Sequence, residues 1–330
     1  MNNTTKITRD AGIDILKCLA AILITYSHLE LQFGEYAALA TGGSFGDCLF
    51  FFCSGYTLLL SKKQLNFFNW YKNRINRIYP TIFAWAVLCY ILFAIKSDIF
   101  YILTKGGGFF VTCIMLFYIV FYPLRGLRIK YLLIIGGVIF AICYISFFFL
   151  DHTDKDIMYL WKWSMYFLPM LMGAILGKAK KDGTDYPMKN LNMTISGLLL
   201  LTSAVAYYVL MYITEIGTSM DFLHPFIIVP QLGVVYGFYR LCNSNFANEL
   251  YNKKWTRAII MFVGGLCLEI YIVQPPLLHT FPMTEIFPLN ILVIFAMIIA
   301  CAYILKVLSR VWQQTFREAE YDWKEIVKLY

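Results

Sequence analysis

Lys17 and His28 stand eleven residues apart in the first long apolar run of the chain, with Asp14 just before the lysine. Eleven helical residues make about three turns, so both groups fall on nearly one face, ~16 Å apart. An ammonium and an imidazole are costly to hold in an apolar span, and such groups mark paths for substrates, ions or protons. The next apolar run opens Ser44-Phe45-Gly46-Asp47. If the two runs form a hairpin, Asp47 begins its descent at the height of His28. A carboxylate beside an imidazole fixes its tautomer and stabilises the imidazolium, which suits a general base acting on a hydroxyl. A polar pair that only locks the hairpin together fits the same spacing.

Three further segments carry groups of interest. Ser54-Gly55 in the second run reads as a close-packing site; a nucleophilic Ser54 would need a base at its own depth. Arg74 and Arg77 are three residues apart, flanked by Trp70, Tyr71 and Tyr79. On one helical face they could grip a phosphate as guanidinium forks, or simply mark the basic side of a span. Glu269 falls near the middle of a late apolar run, where it could pair with Lys17, position a substrate or carry a proton; Tyr271 and Gln274 follow it, the latter near the expected height of His28. His152, His224 and His279 lie at loops or span ends and read as polar boundary residues. The nine cysteines form no CxxC pair and no ligand cluster, so neither a metal nor a disulfide framework is expected.

The elements that must position these groups are membrane spans. The chain is 60% hydrophobic and 15% charged, with a mean hydropathy of +0.64. That composition excludes a disordered chain and is a poor fit to a soluble enzyme. Ten spans are expected, at 11–30, 44–61, 77–96, 108–124, 130–149, 159–177, 190–213, 222–241, 258–279 and 288–309. The polar start, MNNTTKITRDAG, does not read as a signal peptide, so the first run is expected to remain a helix. With both termini in the cytoplasm, only Lys96, Lys105, Lys155 and Lys162 fall outside; Lys17 lies within a span and every other Lys or Arg falls inside. The net charge of +8 then reflects topology and contact with anionic lipid rather than nucleic acid. The expected fold is all-α and polytopic: a membrane domain over 1–311, then an amphipathic cytoplasmic tail over 312–330, with apolar positions from Trp312 to Tyr330 at helical steps.

Taken together, Asp14-x-x-Lys17-x10-His28, Asp47-x-x-Phe50-Phe51-x-x-Ser54-Gly55-Tyr56, Arg74-x-x-Arg77-x-x-Pro80 and Glu269-Ile270-Tyr271-Ile272-Val273 resemble the successive motifs of membrane acyltransferase family 3. The resemblance covers the whole chain. It implies an O-acyltransferase of a bacterial inner (plasma) membrane, moving an acyl group, usually acetyl, from cytoplasmic acyl-coenzyme A to a hydroxyl of an envelope polysaccharide or its lipid-linked precursor. It implies acetyl-CoA as donor co-substrate and no permanently bound cofactor. Arg74 and Arg77 would hold donor phosphates, Lys17 would stabilise charge along the path, and His28 with Asp47 would act as general base. Glu269 completes the catalytic candidates, and Ser54, Tyr271 and Gln274 are candidates for substrate contact. The chain departs from the family at Gln274, where many members have histidine, and at Phe109-Phe110, where a Trp-Phe pair is common. The residues alone leave two alternatives: a transporter or flippase for a glycolipid or small anion, and a scaffold within a polysaccharide assembly.

Overall fold

With no water in the bilayer core, each backbone N–H and C=O must find its partner within the protein, and a helix achieves this within one segment. The computed structural model describes residues 10–61, 65–149, 155–184, 192–214, 219–281, 286–316 and 319–329, and among these there are helices and no strand. In order they are α1 (Ala11–Ser27), α2 (Glu30–Phe33), α3 (Gly43–Leu60), α4 (Phe67–Phe93), α5 (Ile99–Lys105), α6 (Gly108–Leu124), α7 (Ile129–Phe149) and α8 (Lys155–Asp182). They continue with α9 (Met193–Ile213), α10 (Ile228–Cys242), α11 (Asn245–Asn252), α12 (Lys254–Gly265), α13 (Cys267–Thr280), α14 (Leu289–Thr315) and α15 (Trp323–Ile326). Side-chain caps set several starts: Asp10, Asn66, Asp98, Asn192 and Ser244 each accept a backbone N–H of the first turn of α1, α4, α5, α9 and α11.

Among the described residues six helices are long and apolar enough to cross a membrane, or up to nine spans if each bent pair counts as one, against the ten expected. The bends are 60° after α1, 71° between α5 and α6, and 65° between α12 and α13. The expected span 159–177 lies in α8, which has the length, at 28 residues, but carries Lys162 within it and Lys178, Lys180 and Lys181 at its end. The expected span 258–279 is broken at Leu266, and 77–96 is the later part of a 27-residue helix, so Arg74 and Arg77 lie inside α4 rather than at its mouth.

The bundle has two chemically distinct ends. At one, Lys180 pairs with Asp10 at 2.6 Å, and the Tyr56 hydroxyl donates to the same carboxylate at 2.9 Å. There too Lys181 donates to the Ser61 carbonyl, Lys178 to that of Arg125, and Arg125 to that of Leu65. The start of α1 and the ends of α3, α6 and α8 thus share the basic end. At the other end, the Gln32 amide donates to the Leu278 and Phe281 carbonyls, and Asn290 donates back to the Gln32 carbonyl.

Two helices touch backbone to backbone. A Cβ on Gly55 of α3 would collide with the Met170 carbonyl of α8, and Cβ atoms on Gly173 and Gly177 would collide with the carbonyls of Phe52 and Tyr56. Gly46 does the same for α1, where a Cβ would lie 2.9 Å from the Ile24 nitrogen. The close-packing reading of Ser54-Gly55 is the one the geometry bears out at Gly55.

The continuous amphipathic tail is not seen. Trp312 belongs to α14 and stacks on Phe83, and the described tail is one short helix, α15. That hook returns to α14: Ile326 is buried, the Arg310 guanidinium donates to the carbonyls of Ile326 and Lys328, and the Tyr303 hydroxyl donates to that of Val327.

Gly55→Val is expected to lower the stability of the purified protein by about 1–3 kcal/mol, as overpacking does in other cores. A thermal melt in detergent reads this, and a wild-type midpoint would remove the α3–α8 contact from its role.

Candidate functional site

His28 is the C-cap of α1, and its own backbone N–H closes the last turn on the Thr25 and Tyr26 carbonyls. Its ring opens on a cavity of about 620 Å³ formed by α3, α4, α5, α6, α8 and α13, within the size range of small-molecule sites. Asp47, Tyr166, Lys162, Tyr271, Trp85, Tyr101 and Lys105 line it, with Gly106, Gly107 and Gly108 forming one wall where α5 turns into α6.

The imidazole is held from behind. His28 Nδ1 lies 2.7 Å from Gln274 Oε1, Gln274 Nε2 donates to Thr25 Oγ1 at 2.7 Å, and Thr25 Oγ1 donates to the Ala21 carbonyl at 2.8 Å. The chain has only one polarity. A carbonyl cannot donate, so the Thr25 proton points at Ala21; Thr25 must then accept from the Gln274 NH₂, which turns the Gln274 oxygen to the ring. Nδ1 therefore carries the proton, and Nε2 keeps the lone pair a base requires. Gln274 and Thr25 are both buried. Gln274 is thus an amide that sets the tautomer of His28.

Asp47 lines the same cavity, but its hydrogen bond goes elsewhere. Its Oδ2 accepts from the Tyr166 hydroxyl at 2.9 Å, and no hydrogen bond joins it to His28. The expected His28–Asp47 dyad is thus two neighbouring groups, with Gln274 in the orienting position. Tyr271 packs its hydroxyl against the backbone at Gly108, where α6 begins.

Lower in α4 lies a cationic cluster. The Arg74 guanidinium sits 4.9 Å from the centre of the buried Trp70 ring and 5.3 Å from that of Tyr118. The Arg125 guanidinium lies 5.2 Å from the same indole and 4.2 Å from Tyr122. Arg74 Nε and Arg125 Nη1 are buried without a hydrogen-bond partner, and no carboxylate pairs with Arg74, Arg77 or Arg125 among the described residues. Ser54 bonds the Tyr118 hydroxyl at 3.0 Å, so it belongs to this cluster and does not line the His28 cavity. Arg77 is exposed on the same helix. Between the two tiers, a cavity of about 180 Å³ is lined by Tyr71, Tyr79 and Ile82 of α4 and by Val111, Thr112 and Met115 of α6, and it shares Gly107 with the His28 cavity.

Lys17 and Glu269 are placed apart from both tiers. Lys17 packs beside Gly264 near the α12–α13 break, and its carbonyl accepts from Cys267 Sγ at 3.8 Å. Glu269 is fully buried and pairs with Lys306 of α14 at 2.9 Å, not with Lys17. Thr81 donates to Glu269 Oε1 at 3.1 Å and lies 3.0 Å from Ser309 Oγ. This cluster ties α4, α13 and α14 together. Among the described residues no group of His, Cys, Asp or Glu could hold a metal ion. Sequence reasoning missed Arg125, Lys306, Lys105, Lys162 and Tyr166. The first four carry only the signal of ordinary loop or boundary charge, and Tyr166 carries none.

The chain belongs to acyltransferase family 3, since residues 10–307 match the family's acyltransferase domain. No curated protein and no solved structure matches it.

Nitrogen-15 shifts of labelled His28 are expected to show the Nδ1-protonated tautomer at neutral pH. Gln274→Leu is expected to abolish that preference, while Gln274→His, which can both accept and donate, retains it. An unchanged tautomer mixture in Gln274→Leu would overturn the assignment.

Proposed function

We propose that this membrane-spanning acyltransferase moves an acyl group, in the first instance acetyl, from acyl-coenzyme A to a hydroxyl of a cell-envelope glycan or its lipid-linked precursor. One observation supports this above the others: two cavities that share Gly107 lie along α4 and α6 between Tyr71, next along the chain to the Trp70 that holds Arg74, and His28. From Tyr71 to Cys89 the lining residues of α4 cover about 27 Å at 1.5 Å per residue, a length suited to an extended donor.

The orphaned N–H groups of Arg74 and Arg125 suit the donor's phosphates, which accept bidentate, charge-assisted hydrogen bonds. Arg77 adds charge at the entrance. The pantetheine arm would follow the α4–α6 cleft past Thr112 and Gly107. At the upper cavity His28 Nε2 takes the proton of the acceptor hydroxyl as its oxygen attacks the thioester carbonyl. The C–O bond forms, the C–S bond breaks, and the leaving thiolate receives the proton from His28. Gln274 keeps Nδ1 protonated throughout, so the same nitrogen gives and takes. Tyr271 is the hydroxyl of the cavity best placed to face the developing oxyanion, since Tyr166 is committed to Asp47. The basic end of the bundle faces the cytoplasm in this reading, as the positive-inside rule requires. Family membership takes the reading away from a transporter or scaffold.

Turnover of acetyl-CoA by the purified protein tests the reading. His28→Ala is expected to slow transfer by about 10²–10⁴-fold, the usual worth of a general base. Arg74→Ala and Arg125→Ala are each expected to raise the KM for acetyl-CoA about tenfold, the loss of one charge-assisted bond. Wild-type rates from His28→Ala and Arg74→Ala would sink the mechanism.

A further inference from the structure

We propose that the acceptor carries an acidic group close to the hydroxyl that is acylated. The proposal rests on the acyltransferase reading and specifies its substrate. Among the described residues the only carboxylate lining the His28 cavity is Asp47, and its hydrogen bond is to Tyr166. Two lysines line the same cavity, Lys105 from α5 and Lys162 from α8, and neither forms an ion pair with a described residue. Lys162 attracts Asp47 electrostatically, so among the described lining residues two ammonium groups face one carboxylate and Lys105 is left as the excess positive charge.

The lysines are not explained as ordinary surface charge. The charge pattern leaves four lysines on the outer side, and two of these line this one cavity. Lys162 is also placed: its ammonium lies 5.1 Å from the Phe109 ring centre, which holds it at the cavity wall. The start of α6 at Gly108 has no side-chain cap and forms part of the same wall, so its partial positive charge adds to the field. Trp85, Tyr101 and Tyr271 line the same cavity and offer flat faces on which sugar rings rest. Aromatic lining, two ammonium groups against a single carboxylate and a base together describe a site for a sugar bearing a negative charge. A carboxylate on the ring and a phosphate on a neighbouring position present the same chemistry.

The test measures acetyl transfer from acetyl-CoA to three acceptors matched in size: a neutral oligosaccharide, its uronate-bearing counterpart and its phosphate-bearing counterpart. The wild-type protein is expected to favour at least one anionic acceptor over the neutral one by about tenfold in kcat/KM, and the arm that wins identifies the acid. Lys105→Gln with Lys162→Gln is expected to bring that ratio down towards one; because a ratio is read, a loss of folded protein does not mimic the effect. Equal use of neutral and anionic acceptors, or a ratio unmoved by the double substitution, overturns the proposal and leaves the acyltransferase reading standing. Transfer to none of the three with no turnover of acetyl-CoA overturns both.

Discussion

Lipid chains are as apolar as leucine, so helices in a bilayer gain little from burying apolar faces and much from close backbone approach. The contact of α3 with α8 is of this kind. Gly55, Gly173 and Gly177 each sit against a carbonyl of the facing helix, and no side chain stands between the two backbones there. The upper cavity inherits its geometry from this seam. Asp47 lies two turns above Gly55 on α3, and Tyr166 about two turns above Gly173 on α8; the seam brings them to 2.9 Å. Lys162 is one turn further along the same helix. Gly46 seats α1 on α3 in the same way, which delivers His28 to the rim of the space the seam has opened.

The polar groups then sort into three sets that do not mix. Around His28 they are hydrogen-bonded in a directed chain ending on a backbone carbonyl. Around Trp70 they are guanidiniums held by aromatic faces and lacking acids. Around Glu269 they form a closed knot of carboxylate, ammonium and hydroxyls tying three helices together. Glu269 Oε2 remains unpaired even there, so the knot is not fully satisfied, though its main pairing is internal. A buried charge whose partner is another side chain holds structure; a buried charge whose partner is missing waits for a ligand. By that criterion Glu269 belongs with the scaffold, while Arg74 Nε and Arg125 Nη1 each keep an N–H without a protein partner among the described residues.

The all-helical fold and the family were legible, the first from long apolar runs and the second from ordered motifs. Lys17, His28, Asp47 and Glu269 stood out as ionisable groups in apolar runs, and Arg74 by its spacing from Arg77. Partnerships were not legible, since they depend on which helices meet. Asp47 was expected beside His28 and serves Tyr166, while Gln274, noted as a departure from the family, holds the imidazole. Lys306 and Arg125 read as boundary charge because nothing along the chain separates a lysine at a span end from one that turns inward to a carboxylate. The breaks within spans were not legible either: the 65° turn between α12 and α13 shows only in the packing around Leu266.

The glycine wall between α5 and α6 divides the cavity. Gly108 has φ of +69°, and a side chain there would crowd the Tyr271 hydroxyl at 3.0 Å, so this stretch resists change. The proton-handling groups sit on α1 and α13, and their hydrogen bonds run to Thr25 and Ala21 rather than towards α5. Tyr101 and Lys105, by contrast, project from a seven-residue helix whose hydrogen bonds run to Tyr79 of α4 and Thr112 of α6, not to α1 or α13. Substitutions in α5 can therefore reshape one side of the cavity while leaving the hydrogen bonds among His28, Gln274, Thr25 and Ala21 untouched.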